Sequence, residues 1–350
     1  MTLWAIPPII RIATSKSLFD LPNDRSAHRE PTPSFGGVAI FAGTVVGMLL
    51  WTPAEVFSQL QFTLAAFAVL FFVGVQDDLL CLSPRKKILG QLVTALILVL
   101  GAGIRFSGLY GILGINALSL YVAAPLTVVF FIGLINAFNM IDGINGLAGA
   151  TGLLICLASG AWFYGAGYPD PAVVAFCLAG SLAGFLWYNG RVRARIFMGD
   201  TGSMLVGVVC AMLAVLFMEY NHRSEQPPGY DFSAAPPLAL AFLFLPLFDM
   251  IRVVIIRLYE GRSPFAPGRE HIHHVLIDSG LNHLQATGAL LMVNLLVIAL
   301  PLFFNDLGNF VLFVIVLVWA LLFAFALRHL ERRRRGQKAH MVVDGKPLPE

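Results

Sequence analysis

The sequence predicts an all-α, polytopic membrane protein, and three observations carry that prediction. Hydrophobic residues make up 58% of the chain and charged residues 12%, far from the balance of a domain that folds in water. Apolar runs close to the length of a bilayer crossing recur along the sequence, with short polar links between them. The basic residues favour alternate links: of the 23 Lys and Arg, all but Arg105 and Arg223 lie on one side or at span ends facing it, and the positive-inside rule makes that side cytoplasmic. No disulfide framework or metal spacing follows from the four cysteines, since Cys156, Cys177 and Cys210 sit inside apolar runs and Cys81 in a short loop. A cleavable signal peptide is not expected, because Leu3–Ala13 lacks a basic leader and a small-residue cleavage site.

Taken in order, Leu3–Ala13 is too short to span and is interrupted by Pro7-Pro8, so it reads as a half-helix at the interface. A polar, Pro-rich loop from Leu21 to Gly37 opens onto the membrane domain. Its ten spans read Gly37–Trp51, Leu60–Val75, Ile88–Ile104, Leu118–Ile135, Leu147–Tyr164, Ala172–Tyr188, Met204–Met218, Leu238–Leu258, Thr287–Phe304 and Phe310–Leu327. Residues 1–34 then form an N-terminal interfacial segment and cytoplasmic loop, 35–327 the transmembrane domain, and 328–350 a basic cytoplasmic tail. The consecutive Arg332–Arg335 of that tail suit a stop-transfer anchor at the anionic leaflet.

Chemistry-bearing residues collect at the cytoplasmic ends. Within NAFNMIDGINGLAG, Asn136–Gly149, the residues Asn136, Asn139, Asp142 and Asn145 recur every third position, and a helix would align them as one drifting polar stripe beside an apolar span. Amides of this kind also serve simply to hold neighbouring helices together. Asp77 and Asp78 end the second span, and as helix neighbours they point about 100° apart. Asp200, in IFMGDTGS (Ile196–Ser203), lies among glycines and hydroxyls; a lone carboxylate there suits Mg²⁺, which keeps waters and substrate phosphates, unless GDTGS is only a helix cap. Three arginines between Asn189 and Arg195 add positive charge for a lipid phosphate or a nucleotide, or serve topology. Arg262, Arg269, His271, His273 and His274 crowd the loop from Arg257 to Leu276. Arginine forks favour phosphate oxygens, whereas the absence of a nearby Cys and the flanking arginines argue against zinc.

In these motifs the chain resembles the polyprenyl-phosphate N-acetylhexosamine-1-phosphate transferases, glycosyltransferase family 4, with its WecA-like, TagO-like and MraY-like branches. PTPSFGG, Asp77-Asp78 with downstream KILGQ, NAFNMIDGINGLAG, FMGDTGS and REHIHH follow the family order from about Leu21 to Leu276. The resemblance implies a Mg²⁺-dependent phosphotransferase, with Mn²⁺ as a substitute, at the cytoplasmic face of the bacterial inner membrane. Undecaprenyl phosphate would attack the β-phosphorus of a UDP-N-acetylhexosamine, UMP would leave, and cell-envelope polysaccharide synthesis would begin.

By motif, Asp200 looks like the metal ligand, with Asn139 as a second contributor. Asp77 and Asp78 resemble the pair assigned to the lipid phosphate, and Asp142 is placed with them as a catalytic group. Lys87 looks like the phosphate contact and Phe197 is similar to the aromatic that stacks on uracil. Asn136, Asn145 and Asn189 are expected to bind substrate, and Arg269, His271, His273 and His274 resemble the loop that holds sugar and diphosphate. The REHIHH and NAFNMIDG wording looks closest to the WecA-like branch, so UDP-GlcNAc or a deoxy relative is the expected donor, ahead of UDP-MurNAc-pentapeptide.

Two departures from the family pattern stand out. Asn145 occupies a position where members often carry a second Asp, and only Leu3–Ala13 stands in place of the usual first transmembrane helix. The rival of another class is a secondary transporter, which also uses intramembrane carboxylates and broken helices; the chain shows no obvious pair of repeats, and its acids gather at one face. Expected partners are the UDP-sugar, the polyprenyl phosphate, membrane lipids and, as in relatives, a second copy of the chain, with no nucleic acid.

Overall fold

The computed structural model describes residues 1–19, 31–52, 57–222, 227, 229–264 and 268–343. In chain order its helices are α1 (Thr2–Ser15), α2 (Gly36–Trp51), α3 (Phe57–Leu80), α4 (Pro84–Leu96), α5 (Leu120–Ile141), α6 (Leu147–Gly165), α7 (Pro169–Asn189), α8 (Gly199–Asn221), α9 (Ala235–Phe242), α10 (Phe244–Tyr259), α11 (Ile272–Asp278), α12 (His283–Phe303) and α13 (Asn309–Val343). Part of the Pro-rich loop, residues 20–30, lies outside the described residues, as do 344–350 of the tail.

Among the described residues, seven helices are long and apolar enough to cross a membrane, or eight if α9 and α10 form one bent span. The expected count of ten is therefore not reached on length and composition. The shortfall has a local cause: α2 has only 16 residues, and α4 opens with Pro84-Arg85-Lys86-Lys87 and passes into a π-helical turn, Ile97–Gly101. At the C-terminal end, α13 runs unbroken past Leu327 to Val343.

Helix α8 is the axis of the bundle. It packs against α2, α3, α5, α6, α7 and α9, and 94% of its apolar stretch is buried. A helix that is hydrophobic all round belongs in such a position. Gly207 lets it approach α5 closely, because a Cβ there would lie 2.8 Å from the Cα of Ile135, the kind of small-residue contact that membrane helices use in place of hydrophobic driving force. The outermost span is α13, of which only 11% is buried.

Two proline-containing helices are rescued by single side chains. Pro7 and Pro8 were expected to interrupt the first segment, yet α1 is continuous. Pro7 has no N–H for the carbonyl of Leu3; the Tyr188 hydroxyl donates to that carbonyl instead, at 3.1 Å. At 14 residues, or about 21 Å, α1 still falls short of a bilayer. Similarly, Pro246 leaves the carbonyl of Phe242 unpaired, α9 and α10 meet at 73°, and buried Asn294 of α12 donates to that carbonyl at 3.4 Å. The bend has an identifiable origin, and it swings α10 so that its C-terminal end feeds the histidine loop.

Candidate active site

Four sequence motifs meet at the N-terminal end of α8. The segment PTPSFGG lies alongside IFMG: Phe197 donates its N–H to the Pro33 carbonyl at 2.7 Å, and Gly36 and Gly37 donate to the carbonyls of Phe197 and Met198 at 2.9 and 2.8 Å. Gly199 turns the chain into α8 with φ +71, and a Cβ there would fall on the Ser34 carbonyl and the Asp78 carboxylate, so only glycine fits.

The two adjacent acids of α3 do different work. Asp78 accepts the backbone N–H of Asp200 at 2.7 Å and of Thr201 at 3.2 Å, and the Thr201 hydroxyl at 2.6 Å. It thus satisfies orphan donors at the start of α8, where the helix dipole also favours an anion. Asp77 points elsewhere. Its Oδ1 accepts the N–H of Leu82 at 2.7 Å, while its Oδ2 lies 2.8 Å from Lys87 Nζ.

Lys87 stands at the centre. Its Nζ is also 2.9 Å from Asp200 Oδ2 and 3.2 Å from Asn139 Oδ1, and Asn139 donates its amide to Asp200 and to Ser203 Oγ. Residues from α3, α4, α5 and α8 therefore close on one point. Asp77, Asp78, Asp142 and Asp200 line a cavity of about 410 Å³ together with Asn139, Asn145, Asn189, Phe197, His274 and His283. Asp142 sits at the C-cap of α5, where burial and then the charges of Asp200 and Asp78 push its carboxyl well above the usual carboxylate range.

The expected polar stripe does not survive, because α5 ends at Ile141 and Asp142 to Gly146 turn, with Gly146 at φ +84. Asn136, one turn deeper than Asn139, exchanges amide hydrogen bonds with Gln91 of α4 at 2.7 and 3.3 Å. It ties helices together and does not line the cavity. Asn189 is fully engaged too: it accepts the Gly146 N–H at 2.7 Å and donates to the Ile196 carbonyl at 2.9 Å. Asn145 donates to the Arg191 carbonyl at 2.9 Å, while its Oδ1 is buried with no partner among the described residues.

The histidine loop is only partly at the cavity. His273 and His274 are buried; the His273 ring stacks on that of His271, and His274 lies tilted against it; His273 Nε2 lies so close to Gly143 that a Cβ there would strike it. Burial holds both rings unprotonated, helped by their mutual charges for His273 and by Arg269 and His271 for His274, which is pulled down to about 4. Arg269, in contrast, opens onto a separate cavity with Asp278, 3.4 Å away.

What orders this loop escaped the sequence reading. Fully buried Asp249 of α10 accepts the N–H of Ile272 at 2.8 Å and contacts His271 Nδ1 at 2.7 Å. Arg252 donates to the Glu270 carbonyl and to Glu331, and Arg257 to the Pro264 carbonyl at 2.7 Å. Three ionisable side chains inside an otherwise apolar span were the available signal, since such residues are rarely idle in a membrane. His283, which accepts the Asn145 N–H through Nδ1 at 3.4 Å, carried no signal beyond its place at the start of α12.

The donors around Lys87 are all oxygens, and its ammonium lies between the carboxylates of Asp77 and Asp200, oxygen donors of the kind a hard divalent cation takes. Among the described residues no group of three His, Cys, Asp or Glu is preassembled as a metal cage. Asp200, with the Asn139 amide beside it, offers the one or two protein oxygens that an ion such as Mg²⁺ takes alongside water and substrate phosphate. The donor set fits such an ion.

A helical membrane bundle with carboxylates, one ammonium and a histidine loop gathered at one end of its spans defines a multi-pass membrane protein with a polar pocket at the rim of the bilayer. Residues 60–218 match the family profile described as Glycosyl transferase family 4. The chain is 33% identical over 303 residues, covering 81% of it and 74% of the relative, to a decaprenyl-phosphate N-acetylglucosaminephosphotransferase of Mycobacterium tuberculosis. It is 32% identical over 285 residues, 81% of it and 76% of the relative, to a probable undecaprenyl-phosphate N-acetylglucosaminyl 1-phosphate transferase of Bacillus subtilis. An undecaprenyl-phosphate alpha-N-acetylglucosaminyl 1-phosphate transferase of Salmonella typhimurium is 31% identical over 281 residues, 79% of this chain and 73% of that one. The chain belongs to glycosyl transferase family 4, a family of membrane glycosyl-1-phosphate transferases.

Proposed function

We propose that this protein transfers an N-acetylhexosamine-1-phosphate, with UDP-GlcNAc or a deoxy relative as donor, to undecaprenyl phosphate at the cytoplasmic face of the membrane. A phosphate oxygen of the lipid attacks the β-phosphorus of the UDP-sugar, the bond to the UMP oxygen breaks, and UMP leaves with an undecaprenyl-diphosphate sugar retained in the bilayer. The observation that carries this reading is the Lys87 ammonium held between Asp77 and Asp200 at 2.8 and 2.9 Å, two acids that also line the cavity of about 410 Å³. The names of the relatives support the reaction class.

The second pKa of a phosphate monoester is near 6, so the attacking lipid is mostly dianionic at neutral pH and needs little base catalysis. The obstacle is bringing two anions together. Lys87 serves as the fixed positive charge for the diphosphate, and Asp77 orients Lys87. Asp200 and Asn139 would hold Mg²⁺, which when bound supplies charge neutralisation at the phosphates. Asp78 acts through structure, holding the α8 terminus so that Asp200 faces the cavity. Phe197 offers a ring for the uracil, and the neutral His274, which lines the cavity, offers a hydrogen bond to the sugar, with His273 packed behind it against Gly143. Arg269, turned toward the second cavity, has no part in this arrangement.

The test is purified protein in detergent with Mg²⁺, undecaprenyl phosphate and a panel of UDP-sugars, with UMP release as readout. UMP release with UDP-N-acetylhexosamines is expected. Release with UDP-MurNAc-pentapeptide alone overturns the donor assignment, and no release with any donor overturns the reaction.

A further inference from the structure

Beside the histidine loop, between α10 and α13, lies a second cavity of about 730 Å³ that the proposed reaction does not use. Its wall joins two chemistries. On α10, Ile255 and Tyr259 line the cavity, and Ile251 and Leu258, outside its lining but also more than half exposed, extend them as an apolar row on the outward face of the helix. At the mouth stand Arg328 and Arg332 of α13, four residues apart and so on one helix face.

The acids on this wall are already engaged. Glu331 pairs with Arg252, Glu270 with Arg262 and Arg257, Glu260 with Arg262, and Asp278 with Arg269. Arg328 and Arg332 form no ion pair among the described residues. The cavity therefore presents two guanidinium groups with no ion pair among the described residues beside an apolar track, at the same end of the bundle as the histidine loop, because α13 starts at the opposite end, where Asn309 contacts Tyr110.

We infer that this cavity is a binding site for one anionic phospholipid, with Arg328 and Arg332 on the head-group phosphate and an acyl chain along Ile251, Ile255 and Leu258. Charge complementarity selects the occupant: guanidinium forks match phosphate oxygens, and the inner leaflet supplies anionic lipid at this depth. A free phosphate would satisfy the arginines and leave the apolar row bare. The site differs from diffuse attraction of the basic tail, since it holds a single head group at defined residues. The same wall bears Glu331 and Glu270, which bracket Arg252, so a bound lipid braces the loop that ends in His271.

Binding is read without reference to catalysis, so its failure leaves the proposed reaction untouched. The full chain is prepared in zwitterionic lipid nanodiscs doped with phosphatidylglycerol, and retained lipid is counted by native mass spectrometry after transfer to detergent, alongside melting temperature. The expected result is one retained phosphatidylglycerol, lost roughly tenfold in R328Q/R332Q, recovered in R328K/R332K, and kept in the tail variant R333Q/R334Q/R335Q. Recovery in the lysine variant shows that the chain folds. Equal retention of phosphatidylcholine, retention unchanged in R328Q/R332Q, loss in the tail variant alone, or equal thermal stabilisation by inorganic phosphate would each overturn the assignment.

Discussion

Asp78 accepts the backbone N–H of Asp200 at 2.7 Å, so one acid of the α3 pair holds in place the helix terminus that carries another acid of the cavity. Asp77, its neighbour, makes none of these contacts and faces Lys87. The two carboxylates should therefore separate on substitution. Asp78→Ala strands orphan donors at the α8 N-terminus and should cost about 2 kcal/mol of stability, lowering the melting temperature in detergent. Asp77→Asn should leave that temperature nearly unchanged and reduce turnover by about two orders of magnitude or more. Equal melting losses in the two variants would show that the division of labour is wrong.

Among the described residues, Lys87 is the cation shared by Asp77, Asp200 and Asn139. Replacing it by Met keeps the stem and removes the charge, leaving two carboxylates facing each other. Turnover should fall about a hundredfold or more, and the residual activity should saturate at a lower Mg²⁺ concentration, because the ammonium no longer competes for the Asp200 carboxylate. Lys87→Arg should not restore it fully, because a planar fork cannot address three oxygens converging on a point. A titration of rate against Mg²⁺ for the three proteins checks this; an unchanged Mg²⁺ dependence in the Met variant would separate Lys87 from the cation site.

How much of this was legible follows from what kind of signal each residue sends. Asp77, Asp78, Asn139, Asp142 and Asp200 were found because a carboxylate or amide at the end of an apolar run stands out, and the fold brings them to one cavity. The separation of Asp77 from Asp78 was partly visible in the angle between helix neighbours, but which of the two capped α8 depended on a helix more than a hundred residues away. Asn136 looked like Asn139 in spacing, and only the end of α5 at Ile141 and the facing Gln91 distinguish them. The count of ten spans is not reached on length and composition among the described residues, because α4 begins with four polar or ring-locked residues and α9 and α10 bend. Asp249, Arg252 and Arg257 were lost inside a run read simply as a span.

Those last residues carry a prediction of their own. Asp249 is fully buried, and its two oxygens go to the Ile272 N–H and to His271. Asp249→Ala leaves both partners unsatisfied and should destabilise the loop by about 3 kcal/mol. Asp249→Asn keeps an acceptor for Ile272 and should fall between. Hydrogen exchange over 268–278 should rise in the order wild type, Asn, Ala, with turnover falling in the same order. Exchange that rises uniformly through the bundle would instead indicate general loosening of α10.

The pH dependence of stability follows from His274. Its pKa falls from an unfolded value of 6.5 to about 4, through burial and then the charges of Arg269 and His271, opposed by Asp278 and Asp249. Between those values the unfolded chain binds a proton that the folded one refuses, so the folded state loses ground as acid is added. The neutral ring's contribution is present in full above pH 6.5 and disappears progressively as pH drops toward 4, a change of up to about 3 kcal/mol. His273, buried against it and shifted the same way, adds to the trend. Melting temperatures measured from pH 8 to pH 4.5 should fall most steeply below 6.5, and His274→Gln should flatten that slope while leaving the value at pH 8 closer to wild type. A variant with an undiminished slope would place the acid sensitivity in other groups.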